Sequence, residues 1–263
     1  VAAIYGANAS GKSNLYLAMA YFQKIVVESL NNVYNKSETA ISRFYMPFLF
    51  EETHGNSEFQ IIEIIDDFEY KYGFEYNSDS IVTEWLYRKN LTTNRTSAIF
   101  ERAPDKIEFG ASVRKECDVY KEQIPAETLA LSFFNKLKLK TDIFRSVYSG
   151  IMDTLVVPSD FCEDLQFLQD CLPAAIDNEK EKLTEFLSAI DTGIKDIFYD
   201  DSENDIKFFT VHTGKNKKDY YLPLYSESEG TIKSIMLFIY ARIAVLNNCS
   251  IFVDELNIKL HPL

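Results

Sequence analysis

Along the chain, the spacing of apolar residues moves between helical and strand periods. Val1-Ala2-Ala3-Ile4-Tyr5 is a continuous apolar run and predicts a short buried strand. Leu15, Ala18, Met19, Phe22 and Val26 then recur three and four residues apart, the period of an amphipathic helix. From 44 to about 109 alternation takes over, as in Phe59-Gln60-Ile61-Ile62-Glu63-Ile64-Ile65 and Tyr70-Lys71-Tyr72-Gly73-Phe74-Glu75-Tyr76. With breaks at Asn56-Ser57 and Asn77-Ser78-Asp79 this predicts an antiparallel meander, and Asp66-Asp67 reads as one of its hairpin turns. Helical period returns at Leu129-Ala130-Leu131, over 164 to 172 and over 179 to 190, without the sustained heptads of a long coiled coil. Phe208-Phe209-Thr210-Val211-His212 and Tyr220-Tyr221-Leu222 read as strands joined by a turn at Gly214-Lys215-Asn216, with His212 a structural residue. A last helix has Ile232, Ile235, Met236, Ile239, Ile243 and Leu246 on one face, breaks at Asn247-Asn248, and leads into the strand-like Ser250-Ile251-Phe252-Val253.

Composition narrows what these elements build. With 46% hydrophobic and 14% aromatic residues among 263, the chain can bury a full core, which excludes wholesale disorder and collagen-like repeats. Twenty-seven Lys and Arg against 40 Asp and Glu leave a net charge of −13, which opposes adhesion to a polyanion. A nucleic-acid role would need a local basic face; Lys136, Lys138 and Lys140, or Arg114 with Lys115, read better as solvated surface. Cys117, Cys162, Cys171 and Cys249 form no CxxC pair, so neither a disulfide scaffold nor structural zinc is expected. No apolar run reaches the roughly 18 to 20 residues of a membrane span, and no leader opens the chain, so the expectation is a cytoplasmic protein that contacts no membrane.

The clearest chemistry follows the first apolar run. Gly6-Ala7-Asn8-Ala9-Ser10-Gly11-Lys12-Ser13 is GxxxxGK[ST] between a predicted strand and a predicted helix, the context a phosphate-binding loop requires. Glycines at its ends let the backbone curl around phosphates and aim N–H groups inward, and the helix N-terminus behind adds a favourable dipole. Lys12 would reach the β- and γ-phosphates and the Ser13 hydroxyl would ligate Mg²⁺. A chance Gly/Ser-rich turn is the alternative, and it seldom comes with this strand and helix.

Hydrolysis also needs a carboxylate for the metal and a group to orient water. Asp254 and Glu255, at the end of the last apolar run, are candidates: Asp254 for Mg²⁺ and Glu255 to polarise the lytic water. An ordinary strand entering a turn is the competing reading, and the loop at the other end of the chain tips the balance. Tyr225-Ser226-Glu227-Ser228-Glu229-Gly230-Thr231 opens the helix that leads to this strand. Alone, such a segment is first an N-cap.

Together these motifs resemble a known family. Gly-x-Asn-x-Ser-Gly-Lys-Ser-Asn over 6 to 14, Asn14 included, is similar to the loop of the SMC, RecF and OLD group of ABC-type ATPases. Glu-Ser-Glu-Gly-Thr (227 to 231), Phe-Val-Asp-Glu-Leu (252 to 256) and Leu-His-Pro (260 to 262) resemble prokaryotic AAA-family ATPases of the ABC clade found in anti-phage defence operons. Two middle segments, 81 to 87 and 99 to 102, resemble them more loosely. The resemblance implies an α/β P-loop NTPase of ABC type with an antiparallel β meander and a helical insertion. It implies ATP and Mg²⁺ bound by Gly6, Ala7, Asn8, Ala9, Ser10, Gly11, Lys12, Ser13 and Asn14, with Asp254 a second metal ligand and Glu255 and Lys12 catalytic. Ser228 and Gly230 would bind the γ-phosphate held by the other subunit, so a homodimer is implied.

Departures qualify the match. Glu229 stands where the signature usually has glycine, which puts a carboxylate beside phosphate, and Lys259 replaces a small residue. His261 reads equally as a dimer contact or an exposed histidine, and Gln60 and Gln123 are Q-loop candidates by type alone. The expected layout is a P-loop strand and helix over 1–43, a β subdomain over 44–110, a helical insertion over 111–200, and the core again over 201–263 with signature helix and Walker B strand. Motifs pressed against both ends predict the middle of a larger ATPase. The expected function is Mg-dependent ATP hydrolysis that powers or gates a defence or DNA-related effector, with a protein effector or toxin as partner. The alternatives are a nucleotide-gated scaffold with little turnover and the ATPase part of an OLD-like nuclease.

Overall fold

The structure is a computed structural model, and it describes residues 2–7, 9–30, 39–48, 50, 52–157, 165–190, 193–202 and 205–254. The chain divides into two compact units, Leu17–Asp153 and a discontinuous one made of Val1–Tyr16 with Thr154–Leu263.

Helix α1 (Lys12–Glu28) starts in the discontinuous unit and runs into the sheet unit, where Phe22, Ile25 and Val26 are buried. The predicted stripe fails at its first residue, for Leu15 is exposed, and holds from Met19, which packs against the core, through Phe22 and Val26. After the short α2 (Ala40–Phe44) come β1 (Ser57–Ile65), β2 (Phe68–Tyr76), β3 (Ile81–Asn90), β4 (Thr96–Ala103) and β5 (Lys106–Phe109), five antiparallel strands paired in chain order. Local chemistry makes this meander. Asp66 takes a left-handed φ of 52° in the two-residue turn between Ile65 and Phe68, and the Asn77 side chain accepts from the N–H groups of Asp79 and Ser80. Tyr70, Tyr72, Phe74 and Tyr76 alternate onto one face of β2 and are buried, and Phe22 of α1 stacks on Phe74 with ring centroids 5.7 Å apart. Each such ring contributes roughly 1.5–3 kcal/mol by leaving water.

The rest of this unit is helical: α3 (Arg114–Cys117), α4 (Ala130–Asn135) and α5 (Ile143–Met152). Thr128 Oγ1 donates to Ser29 O at 3.0 Å and Ser132 Oγ to Val26 O at 2.6 Å, tying the end of α1 to the start of α4. Gln23 of α1 donates to Ile151 O at 2.8 Å, at the end of α5. Lys136, Lys138 and Lys140 are exposed.

In the discontinuous unit, β6 (Leu155–Val157) pairs in parallel with β10 (Ile251–Val253). Between them lie α6 (Leu165–Ala189), the antiparallel sheet β7 (Ile194–Asp200), β8 (Lys207–Thr213) and β9 (Asp219–Pro223), and α7 (Glu229–Asn247). Two strands therefore interrupt the stretch 111–200, one at each side of α6. Helices α6 and α7 pack through Leu168, Leu172, Leu183, Leu187, Ile235, Met236 and Ile239, with Phe167 stacked on Tyr240 at 4.2 Å. Helix α6 kinks at Glu179 (φ −141°, ψ 24°), and Arg242 of α7 grips that carboxylate with two nitrogens, holding its pKa below the usual range with help from Lys182. Asn248, left-handed at φ 53°, ends α7 at the predicted break, although Leu246 is exposed.

One expectation fails. Residues 2–7 form no strand, and Ile4 and Tyr5 are 61% and 90% exposed. An apolar run becomes a strand only when a neighbour supplies the ladder, and among the described residues β10 pairs with β6 and none pairs with 2–7. No described helix is long and apolar enough to cross a membrane.

Candidate functional site

The loop between residue 6 and α1 is built from its backbone. Ala9 and Gly11 have φ of 61° and 89°, and Ser10 N–H bonds Ala7 O at 3.2 Å. Turns of alternating hand are the backbone form in which successive N–H groups make anion-binding concavities. A Cβ at position 6 would lie 2.5 Å from Ser10 Oγ, so any larger residue there requires the Ser10 side chain to turn away. Position 11 has space but needs a glycine-like φ. Asn8 lies outside the described residues.

Helix α1 begins where the loop ends. Its first helical bond is Leu15 N–H to Gly11 O at 3.3 Å, so the N–H groups of Lys12, Ser13 and Asn14 have no acceptor within the helix. They supply the positive end of the helix dipole to whatever lies in the loop. The Lys12 ammonium folds back over the loop, donating to Gly6 O at 3.0 Å and Ala7 O at 2.8 Å. Its charge is thereby kept at the loop by two carbonyls. Ser13 is half-buried one residue further on, and Asn14 is exposed.

Two other candidate segments fall in the same compact unit as the loop. Asp254 follows β10 directly and is half-buried, while Glu255, Lys259 and His261 lie outside the described residues. Ser228 is the N-cap of α7: its Oγ accepts from Thr231 N–H at 3.1 Å and lies 2.9 Å from Thr231 Oγ1. Gly230 O accepts from Ser234 Oγ at 2.8 Å. Glu229 is exposed at the first helical position, where the dipole favours a carboxylate. The Q-loop candidates belong to the sheet unit, Gln60 exposed on β1 and Gln123 donating to Val119 O at 3.4 Å.

One contact escaped the sequence reading. Glu227, beside Ser228, accepts from Thr210 Oγ1 and from His212 Nε2, the latter at 2.6 Å. A carboxylate can only accept, so Nε2 carries the hydrogen. Thr210 and His212 stand two apart on β8 and share a face of the strand, a spacing that marks a face but not its partner.

The donor set suits a nucleotide phosphate chain: curled backbone, helix N–H groups without an acceptor in the helix, and the Lys12 ammonium. Ser13 and Asp254, the residues expected to hold Mg²⁺, fall in the same compact unit, and a hydroxyl with one carboxylate is the one-or-two-ligand set that leaves remaining positions to phosphate and water. Among the described residues no three His, Cys, Asp or Glu side chains gather as an all-protein metal cage. Over residues 1–263 the chain matches the family described as "AAA domain, putative AbiEii toxin, Type IV TA system", and no curated protein matches it. The chain belongs to that AAA-domain family, a family of P-loop nucleotide-binding ATPases.

Proposed function

We propose that this chain is a Mg-dependent ATP hydrolase of ABC type, whose two sites are completed in trans by homodimerisation. The observation that carries the reading is the loop itself. Its two left-handed residues, three N–H groups without an acceptor in the helix, and folded-back Lys12 make a receptor for the triphosphate, in the unit that also holds Asp254 and the Ser228-capped helix.

Loop N–H groups and Lys12 bind the β- and γ-phosphates and hold the γ-phosphorus for in-line attack. Ser13 and Asp254 would hold Mg²⁺, which would supply positive charge to offset the negative charge that develops on the phosphates. Glu255 accepts a proton from the attacking water. Ser228 and Gly230 reach the γ-phosphate of the opposite subunit, so a lone subunit turns over poorly. The family description supports a toxin–antitoxin setting; within an anti-phage defence role of that kind, closure would drive or gate a protein effector in the cytoplasm. A net charge of −13 favours a protein partner over direct clamping of DNA.

Glu255→Gln should retain ATP binding and accumulate an ATP-bound dimer in light scattering, while steady-state hydrolysis falls at least 100-fold. A variant that stays monomeric with ATP and Mg²⁺ overturns the trans mechanism. Equal hydrolysis by wild type and variant would instead mark a scaffold.

A further inference from the structure

Glu227 is held far more firmly than a turn residue needs to be. Its side chain is 9% exposed, and it takes hydrogen bonds from Thr210, which is fully buried, and from His212, 24% exposed. Both donors come from β8, the middle strand of the sheet β7-β8-β9. The backbone on the other side is equally committed: Glu227 N–H bonds Leu224 O at 3.0 Å, and Ile232 N–H bonds Ser228 O at 3.1 Å. The residue before the cap is thus pinned to a sheet, and the residue after it to a helix of 19 residues.

Charge sharpens the point. The Glu227 carboxylate precedes a helix N-terminus, where an unclaimed anion would compete for any phosphate brought to Ser228. Two donors claim it instead. The cap serine is exposed: its Oγ accepts from Thr231 N–H and lies 2.9 Å from Thr231 Oγ1, a contact in which either hydroxyl can donate.

We infer that Thr210 and His212 are positioning residues for the signature turn: by gripping Glu227 they hold Ser228 and Gly230 ready for the γ-phosphate of the opposite subunit. The inference rests on the trans reading above. It predicts a defect that appears only in the partner's site, which a merely structural role would not produce.

The test uses two crippled chains. His212→Ala should bind a fluorescent ATP analogue through its own loop within about twofold of wild type, yet show ATP-driven dimerisation and kcat reduced about tenfold or more. Lys12→Ala should lose ATP binding but keep an intact signature turn. Mixed together, they form heterodimers in which the loop of the His212→Ala subunit faces the signature of the Lys12→Ala subunit, and hydrolysis should rise well above either chain alone. His212→Gln, which keeps an N–H donor, should recover most of the rate. Should His212→Ala not fold, Thr210→Val removes the other donor at nearly the same volume and carries the same expectation in the same mixture. A mixture no more active than its parts overturns the inference, as does a fully active His212→Ala. Wild type that neither dimerises nor hydrolyses ATP would overturn the trans reading itself.

Discussion

Glu63 shows what one misplaced charge does to a packed face. It sits on β1 against α5, where Gly150 leaves room for it: a Cβ at 150 would lie 2.5 Å from Glu63 Oε2. That oxygen is buried and has no hydrogen-bond partner among the described residues. Burial, and secondly the charge of Asp153, push its pKa from 4.5 to about 7; its cross-strand neighbour is Tyr70. Because the folded value is the higher one, the folded chain holds this proton more tightly than the unfolded chain. The stabilisation is therefore full below about pH 4.5 and lost as pH rises through 7. Allowing for partial solvent screening, the loss between pH 5 and 8 is about 2 kcal/mol. Urea denaturation followed by Trp85, the single tryptophan and a residue of β3, measures this in the sheet unit. Glu63→Gln should flatten the pH dependence by that amount, and an unchanged slope would show that other groups cause it.

Between elements, the main polar contact of the sheet unit is Glu84. Its carboxylate, completely buried on β3, accepts from Ala130 N–H at 2.7 Å and Leu131 N–H at 3.0 Å, capping α4 from another element. Tyr72 Oη donates at 3.0 Å, and Arg102 lies 3.7 Å away while bonding the Pro125 and Thr128 carbonyls. Burial outweighs these partners and leaves the Glu84 pKa raised, yet each partner depends on an acceptor here. Glu84→Gln keeps the shape but turns an NH₂ toward backbone donors and strips Arg102 of its counter-charge. The expected cost is about 3 kcal/mol in unfolding free energy, measured by urea titration. A loss under about 1 kcal/mol would mean that water replaces the carboxylate. No sequence pattern pointed to this cap, because Leu129 before α4 carries no capping oxygen and Glu84 lies 46 residues away from Ala130. The meander was legible for the opposite reason. Its turns and its alternating aromatics are local, each hairpin declaring itself within about twenty residues. Strands β6 and β10 are three residues long and meet across the whole of one unit, so their pairing left no period to read.

At the scale of the whole chain, the phosphate loop was legible because backbone chemistry writes itself into residue type: glycine at 6 against the Ser10 side chain, glycine at 11 for its left-handed turn, and lysine and serine at the helix start. The run before it misled, since an apolar strand is a property of its neighbours as much as of itself. The same loop offers a whole-molecule test. A ligand that binds only the folded chain stabilises it by RT ln(1 + [L]/Kd), about 2.7 kcal/mol at one hundred times Kd. Calorimetry with ATP and Mg²⁺ should therefore raise the transition of the unit that holds residues 6 to 13. Helix α1 begins in that unit and is buried in the other through Phe22, Ile25 and Val26, so Trp85 fluorescence should report a smaller shift in the sheet unit, carried by the shared helix. Lys12→Ala removes the ammonium that lies on Gly6 O and Ala7 O and should abolish both shifts. If ATP stabilises Lys12→Ala as much as wild type, the nucleotide is bound elsewhere and the loop is not its site.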